Sequence, residues 1–282
     1  MRRSTLAMLA MMLAACSGAG RDTPDAAVTP PVPGVAVSPL PDSAFPATPL
    51  GRAALRGRAI VTATRDSLPG YVGNSLRCTS CHLDEGRRPF AMTWIGVHAR
   101  YPQYRSRKDR VLTVADRINE CLERSLGGKA LPHDDERLRS IEAYFAFISS
   151  GIAVGSRTPG QGIDSVDATT PNVSNGEAVF ASSCARCHGA DGAGTTLATP
   201  LWGEKSYTIA AGMARFRMAA GFIRANMPFD TPSTLSEQDA LDVAAYINSR
   251  PRRDLRGKEN DWPGGGAPSD VPYRTTGQTR KP

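Results

Sequence analysis

Apolar residues first gather at the start of the chain, in a run from Leu6 to Ala15 preceded by Arg2 and Arg3. The run is too short for a membrane-spanning helix and has the build of a secretory signal, so residues 1–15 are expected to be removed. From Ser17 to Leu50 the pattern dissolves into proline, alanine, glycine and small polar residues. Such a stretch cannot bury a core, and residues 16–50 are expected to form an extended tether, with folded chain starting near Gly51. Helical periodicity follows. Val114, Ile118, Cys121, Leu122 and Ser125 share one arc of a helix expected over Val111 to Leu126, ended by Gly127-Gly128. A second helix, capped by Asp134 or Asp135, runs through Ile141, Tyr144, Phe145 and Ile148 to a stop at Gly151. Gly176 to Ser183 reads as a short helix. Leu235 to Ser249 reads as a longer one, apolar at Leu241, Ala244, Ala245 and Ile247 and capped by Ser236 with Asp239 three residues on. Residues 154–172 form a glycine-rich and polar linker, and beyond Arg252 a Gly/Pro tail, 253–282, is expected to be loose or to lie on the surface. The expected class is all-α, in two small domains over 51–153 and 173–252.

Cysteine and histidine sharpen this picture because they are scarce, at six and four residues. Cys78-Thr79-Ser80-Cys81-His82 and Cys184-Ala185-Arg186-Cys187-His188 are both C-x-x-C-H, the attachment sequence of c-type haem. On one helical turn the two thiols reach the haem vinyl groups while the histidine presents a ring nitrogen to iron. Two covalently bound haem c groups are therefore expected. A zinc site would need four converging sulfur or nitrogen ligands, and the motifs do not require one.

The halves repeat. Their motifs are offset by 106 residues, and His188 lies 39 residues before Met227, which is followed by Pro228. Met-Pro at that distance resembles the distal-ligand loop of class I cytochromes c, with Met213 and Met218 as alternatives for the ligand. The same 39 residues counted from His82 end on Cys121, a thiol where the other half has a thioether. His98 and His133 are the other candidates for the first iron, and Met92, ten residues after His82, is expected to be core. Pro200-Leu201 resembles the cytochrome proline whose carbonyl orients the haem histidine.

The formal charge is +7, or +5 without Arg2 and Arg3. Basic residues are not interleaved with aromatics, so nucleic-acid binding is not expected. Arg117, Cys121 and Ser125 are four apart and stack along one helix face, just after Arg105, Arg107, Lys108 and Arg110. A thiolate, a hydroxyl and guanidinium groups together suit a small sulfur oxyanion. Arg110, Glu120, Glu123 and Arg124 are read as a solvated face.

At these residues the chain resembles the tetrathionate-forming thiosulfate dehydrogenases, periplasmic di-haem cytochromes c. The matching stretches are Asn74 to Pro89, Tyr101 to Arg107 and Arg117 to Lys129, within a similarity running from about Leu55 to Arg250. The resemblance implies two tandem class I cytochrome c-like domains. It implies His82 and Cys121 as ligands of the first iron, and Arg107, Arg117 and Ser125 around the substrate. It also implies electron transfer through a His188/Met227 haem to an acceptor cytochrome. Where some members have a lysine before the methionine, this chain has Asn226. Leu13-Ala14-Ala15-Cys16 resembles a bacterial lipoprotein box, so Cys16 is expected to carry lipid and hold a periplasmic protein to a membrane; Ser17 leans this towards the outer membrane. Two other readings are a subunit of a periplasmic sulfur-oxidising complex that loads sulfur onto a carrier protein, and an electron carrier with no substrate of its own.

Overall fold

The computed structural model describes residues 38–279. The expected signal segment, Cys16 and most of the expected tether lie outside the described residues. Helix α1 (Pro49–Thr62) opens the first half, its N-terminus capped by Thr48, which accepts from Gly51 N at 3.1 Å. A short hairpin, β1 (Gln103–Arg105) against β2 (Arg110–Leu112), leads into α2 (Val114–Arg124) and α3 (Glu136–Ile148). The second half holds α4 (Val173–Val179), which continues through a π-turn to the second motif, then α5 (Phe216–Asn226) and α6 (Glu237–Ser249). The architecture is helical with this one small hairpin among the described residues, as expected.

Each half is built on a crossing of its first and last helices, and a glycine makes each crossing possible. A Cβ on Gly57 of α1 would lie 1.9 Å from the Ser140 carbonyl oxygen of α3, and one on Gly176 of α4 would lie 2.1 Å from that of Asp242 in α6. Only a residue without a side chain lets the backbones approach so closely. Around the first crossing Ala54, Val61, Leu138, Ile141 and Tyr144 are buried; around the second, Phe180, Leu241, Val243 and Ala244.

Four expectations are corrected. Residues 38–50 are not a free tether: Phe45 is buried and stacks on Phe147 at 4.5 Å, and Arg58 donates to the Leu40 carbonyl and pairs with Asp42. One aromatic side chain is enough to draw the end of a polar stretch into the core. The helix expected from Val111 begins at Val114, because Arg110–Leu112 pair in the hairpin and Thr113 closes a capping box with Asp116. Glu120 and Arg124 are buried rather than solvated. What buries Arg124 is the C-terminal segment, itself expected to be loose: Asp261 and Trp262 are 1% and 4% exposed, and Arg124 grips both Asp261 oxygens.

The halves interleave. Tyr207, Ala211 and Ala214 belong to the first half's core although they follow the second motif. The Thr208 hydroxyl donates to the Arg124 carbonyl at 2.7 Å, and the Asn74 amide donates to the carbonyls of Ser125 (2.8 Å) and Ser206 (2.9 Å).

Candidate haem sites and anion site

The first motif is one tight turn, with the His82 amide donating to the Cys78 carbonyl at 3.1 Å and the Cys78 amide to the buried Thr64 hydroxyl at 3.0 Å. His82 Nδ1 donates to the Met92 carbonyl at 2.8 Å, which fixes the ring and leaves Nε2 to face a ligand site. Met92 holds a left-handed backbone (φ 53°), and its own amide bonds the Gly162 carbonyl at 2.8 Å, so the linker braces the residue that aims His82. Trp94 lies 4.7 Å from the imidazole. Burial pushes the His82 pKa down to about 4, keeping the imidazole neutral, and pushes the Cys78 and Cys81 thiols up to about 11 and about 12.

Cys121, on α2, lies within electrostatic reach of Cys78, Cys81 and Arg117, and is the largest influence raising the Arg117 pKa. Arg117 also acts on His82, and its Nη1 lies 3.2 Å from Glu120 Oε2. Thus Cys78, Cys81, His82, Arg117 and Cys121 are linked into one electrostatic group. Arg107 lies within electrostatic reach of Arg117; its Nη1 donates to the Ala210 carbonyl at 3.3 Å and its Nε is 3.7 Å from Asp261. Ser125 caps the C-terminus of α2, its amide donating to the Cys121 carbonyl at 2.9 Å. The other candidates lie elsewhere: His98 Nε2 bonds the Glu142 carbonyl, and the exposed His133 pairs with Asp116.

The second motif opens on a cavity of about 640 Å³ lined by Cys184, Cys187, His188 and Met227. His188 Nδ1 donates to the Thr199 carbonyl at 2.8 Å; the Pro200 carbonyl, the expected partner, instead accepts from the Ser206 hydroxyl. Met227 caps the C-terminus of α5 and packs against the cores on both sides of it. Met213 also lines the cavity, whereas Met218 does not. The same cavity is lined by Cys81 and Leu83, so it reaches the first motif.

Paired thiols, a carbonyl-anchored neutral imidazole and a largely apolar hollow in the size range of cofactor pockets fit a covalently attached macrocycle. Among the described residues, no group of three or more His, Cys, Asp and Glu side chains could hold a bare metal ion. Sequence reasoning missed Asp261, Trp262 and the Thr199 and Met92 carbonyls. A buried role for the tail was signalled only by its bulky aromatics, Trp262 and Tyr273, among glycines and prolines.

Residues 71–154 match the family model described as SoxA/TsdA, cytochrome c domain, and residues 171–247 match that of the cbb3-type cytochrome c oxidase subunit III. Two cytochrome c domains bind haem c. Thiosulfate dehydrogenase of Psychrobacter arcticus is 41% identical over 240 residues, covering 82% of this chain and 73% of that protein. The enzyme of Allochromatium vinosum is 39% identical over 242 residues, covering 82% and 86%. The thiosulfate dehydrogenase TsdBA of Marichromatium purpuratum, solved as isolated, superposes with a TM-score of 0.75 at 32% identity; the match covers 84% of this chain and 55% of that longer one. With this identity sustained across both halves, the chain belongs to the thiosulfate dehydrogenase family of c-type cytochromes.

Proposed function

We propose that the protein oxidises thiosulfate to tetrathionate and passes two electrons from the first haem through the second to an acceptor cytochrome. The observation that carries this reading is the cluster of Cys121 and Arg117 beside the thiols and imidazole of the first motif. His82 and Cys121 would hold one haem, linked to Cys78 and Cys81; His188 and Met227 would hold the other, linked to Cys184 and Cys187. When bound, each haem supplies a one-electron acceptor, so two together match the two electrons released when two thiosulfate dianions join through a sulfur–sulfur bond.

The chain's own residues do the rest. Arg117 and Arg107 neutralise and orient the sulfonate end of thiosulfate, leaving its outer sulfur towards Cys121. The Ser125 hydroxyl, one turn beyond Cys121, is the remaining donor on that face. The Cys121 thiolate is also a nucleophile. Joining thiosulfate to it through sulfur releases two electrons, and attack by a second thiosulfate on that bond expels tetrathionate and restores the thiolate. The cavity shared by Cys81 and Met227 supports a short electron path between the halves.

The same reading puts the protein in the periplasm, anchored through lipidated Cys16; replacing Cys16 by Ser should release it from the membrane fraction. The decisive assay mixes haem-loaded protein with thiosulfate and ferricyanide and measures tetrathionate directly. Cys121→Gly with full haem content should lose at least about a hundredfold in turnover, as expected when a nucleophile is removed. Undiminished turnover would overturn the mechanism. Strict dependence on a sulfur-carrier protein would select the sulfur-loading subunit, and no spectral response to thiosulfate would select the electron carrier.

A further inference from the structure

Asp261 stands at the meeting point of three cations. Its carboxylate takes both terminal nitrogens of Arg124, faces Arg107 Nε at 3.7 Å and Lys108 Nζ at 3.9 Å, and accepts from the Tyr273 hydroxyl at 2.7 Å. The next residue closes on the same arginine from two sides. The Trp262 amide donates to the Arg107 carbonyl at 2.9 Å, and its ring lies 4.5 Å beneath the Arg107 guanidinium. Arg107 and Arg124 both reach the Ala210 carbonyl, at 3.3 and 3.4 Å. A segment 137 residues from Arg124 therefore fixes backbone, guanidinium plane and counter-charge of Arg107 at once.

That is more than a surface tail needs. An arginine waiting for a dianion beside Arg117 is repelled by its neighbours and would swing away from them. One buried carboxylate behind it offsets that repulsion, and a planar ring under it removes the freedom to rotate. The one hydrogen bond that the Arg107 side chain makes among the described residues is from Nη1 to the Ala210 carbonyl, so guanidinium N–H donors remain for an incoming anion.

We propose that Asp261 and Trp262 are positioning residues for the anion site: the C-terminal segment completes it by holding Arg107 in its substrate-binding pose. This rests on the reading of Arg107 as a thiosulfate-binding residue.

The test uses the haem-loaded full chain. Asp261→Asn should raise KM for thiosulfate about tenfold with kcat within about twofold, the pattern of lost substrate binding, and Asp261→Glu should recover most of it. In an Arg107→Gln background Asp261→Asn should add less than about twofold, because residues acting through one another are not additive. Trp262→Leu, which leaves the Arg124 pair in place, should raise KM about threefold or more by freeing the guanidinium, and carries the test if the asparagine variant does not fold. Unchanged KM in the folded variants, or full additivity with Arg107→Gln, overturns the proposal. If the parent protein turns over no thiosulfate, the proposed function fails separately. Amide exchange over residues 103–112 then decides the clamp: at least about tenfold faster exchange in both variants supports it, and unchanged exchange refutes it.

Discussion

Cys121 and Met227 occupy equivalent places after their motifs, yet one offers a thiolate and the other a thioether. A thiolate lowers and a thioether raises the potential of an iron it binds, so under the proposed ligation the pair would set a downhill direction from the first half to the second. Replacing Met227 by Leu should leave haem content intact while lowering the second potential by roughly 100 mV or more, within the span that axial ligands command, read by redox titration. The place of Met227 on the cavity wall beside His188 was legible because a covalent motif starts an unambiguous count. Arg124 and Glu120 were not. Local charge and helical period assign them to solvent, and only a partner 137 residues away makes Arg124 an interior residue. The Thr199 carbonyl was off by one residue from the expected proline, since loop geometry decides which carbonyl faces a ring.

At the scale of elements, α3 and α6 were readable from their caps and apolar stripes and α2 from its stripe, whereas α5 was not read. Ser236 and Asp135 sit where their side chains accept from the first turn, at 3.0 Å from Asp239 N and 2.8 Å from Arg137 N. Helix α1 was not read although Thr48 caps it and Pro49 opens it; its sequence, rich in Ala, Gly and Arg, packs through the close crossing with α3. Gly57→Val should therefore cost about 3 kcal/mol or more, seen in denaturant unfolding, because no rotamer relieves a Cβ against backbone. Thr113→Ala removes the cap that starts α2 three residues later than its apolar period suggests. A loss of about 1 kcal/mol is expected in the same measurement, with weaker anchoring of Arg117.

Over the whole molecule, the domain limits drawn from composition divide what the fold joins. Residues 38–50 and 253–279 both pack on the first half, and Tyr207 to Ala214 fill its core from beyond the second motif. Composition could not reveal this, because a few large side chains in a polar stretch hardly change its average. Asp261→Ala in the full chain leaves Arg124 buried under the C-terminal segment without its carboxylate. The variant should lose about 3–5 kcal/mol of stability, as expected for a broken interior ion pair, with the deficit falling on amides of α2 in hydrogen exchange.

The hollow that runs from Cys81 to Met227 is walled by both halves, and its thiols face inward. A planar guest seated there would touch walls supplied by both halves, so its removal should loosen the two together, and protein prepared without it should unfold at a lower temperature than the loaded form.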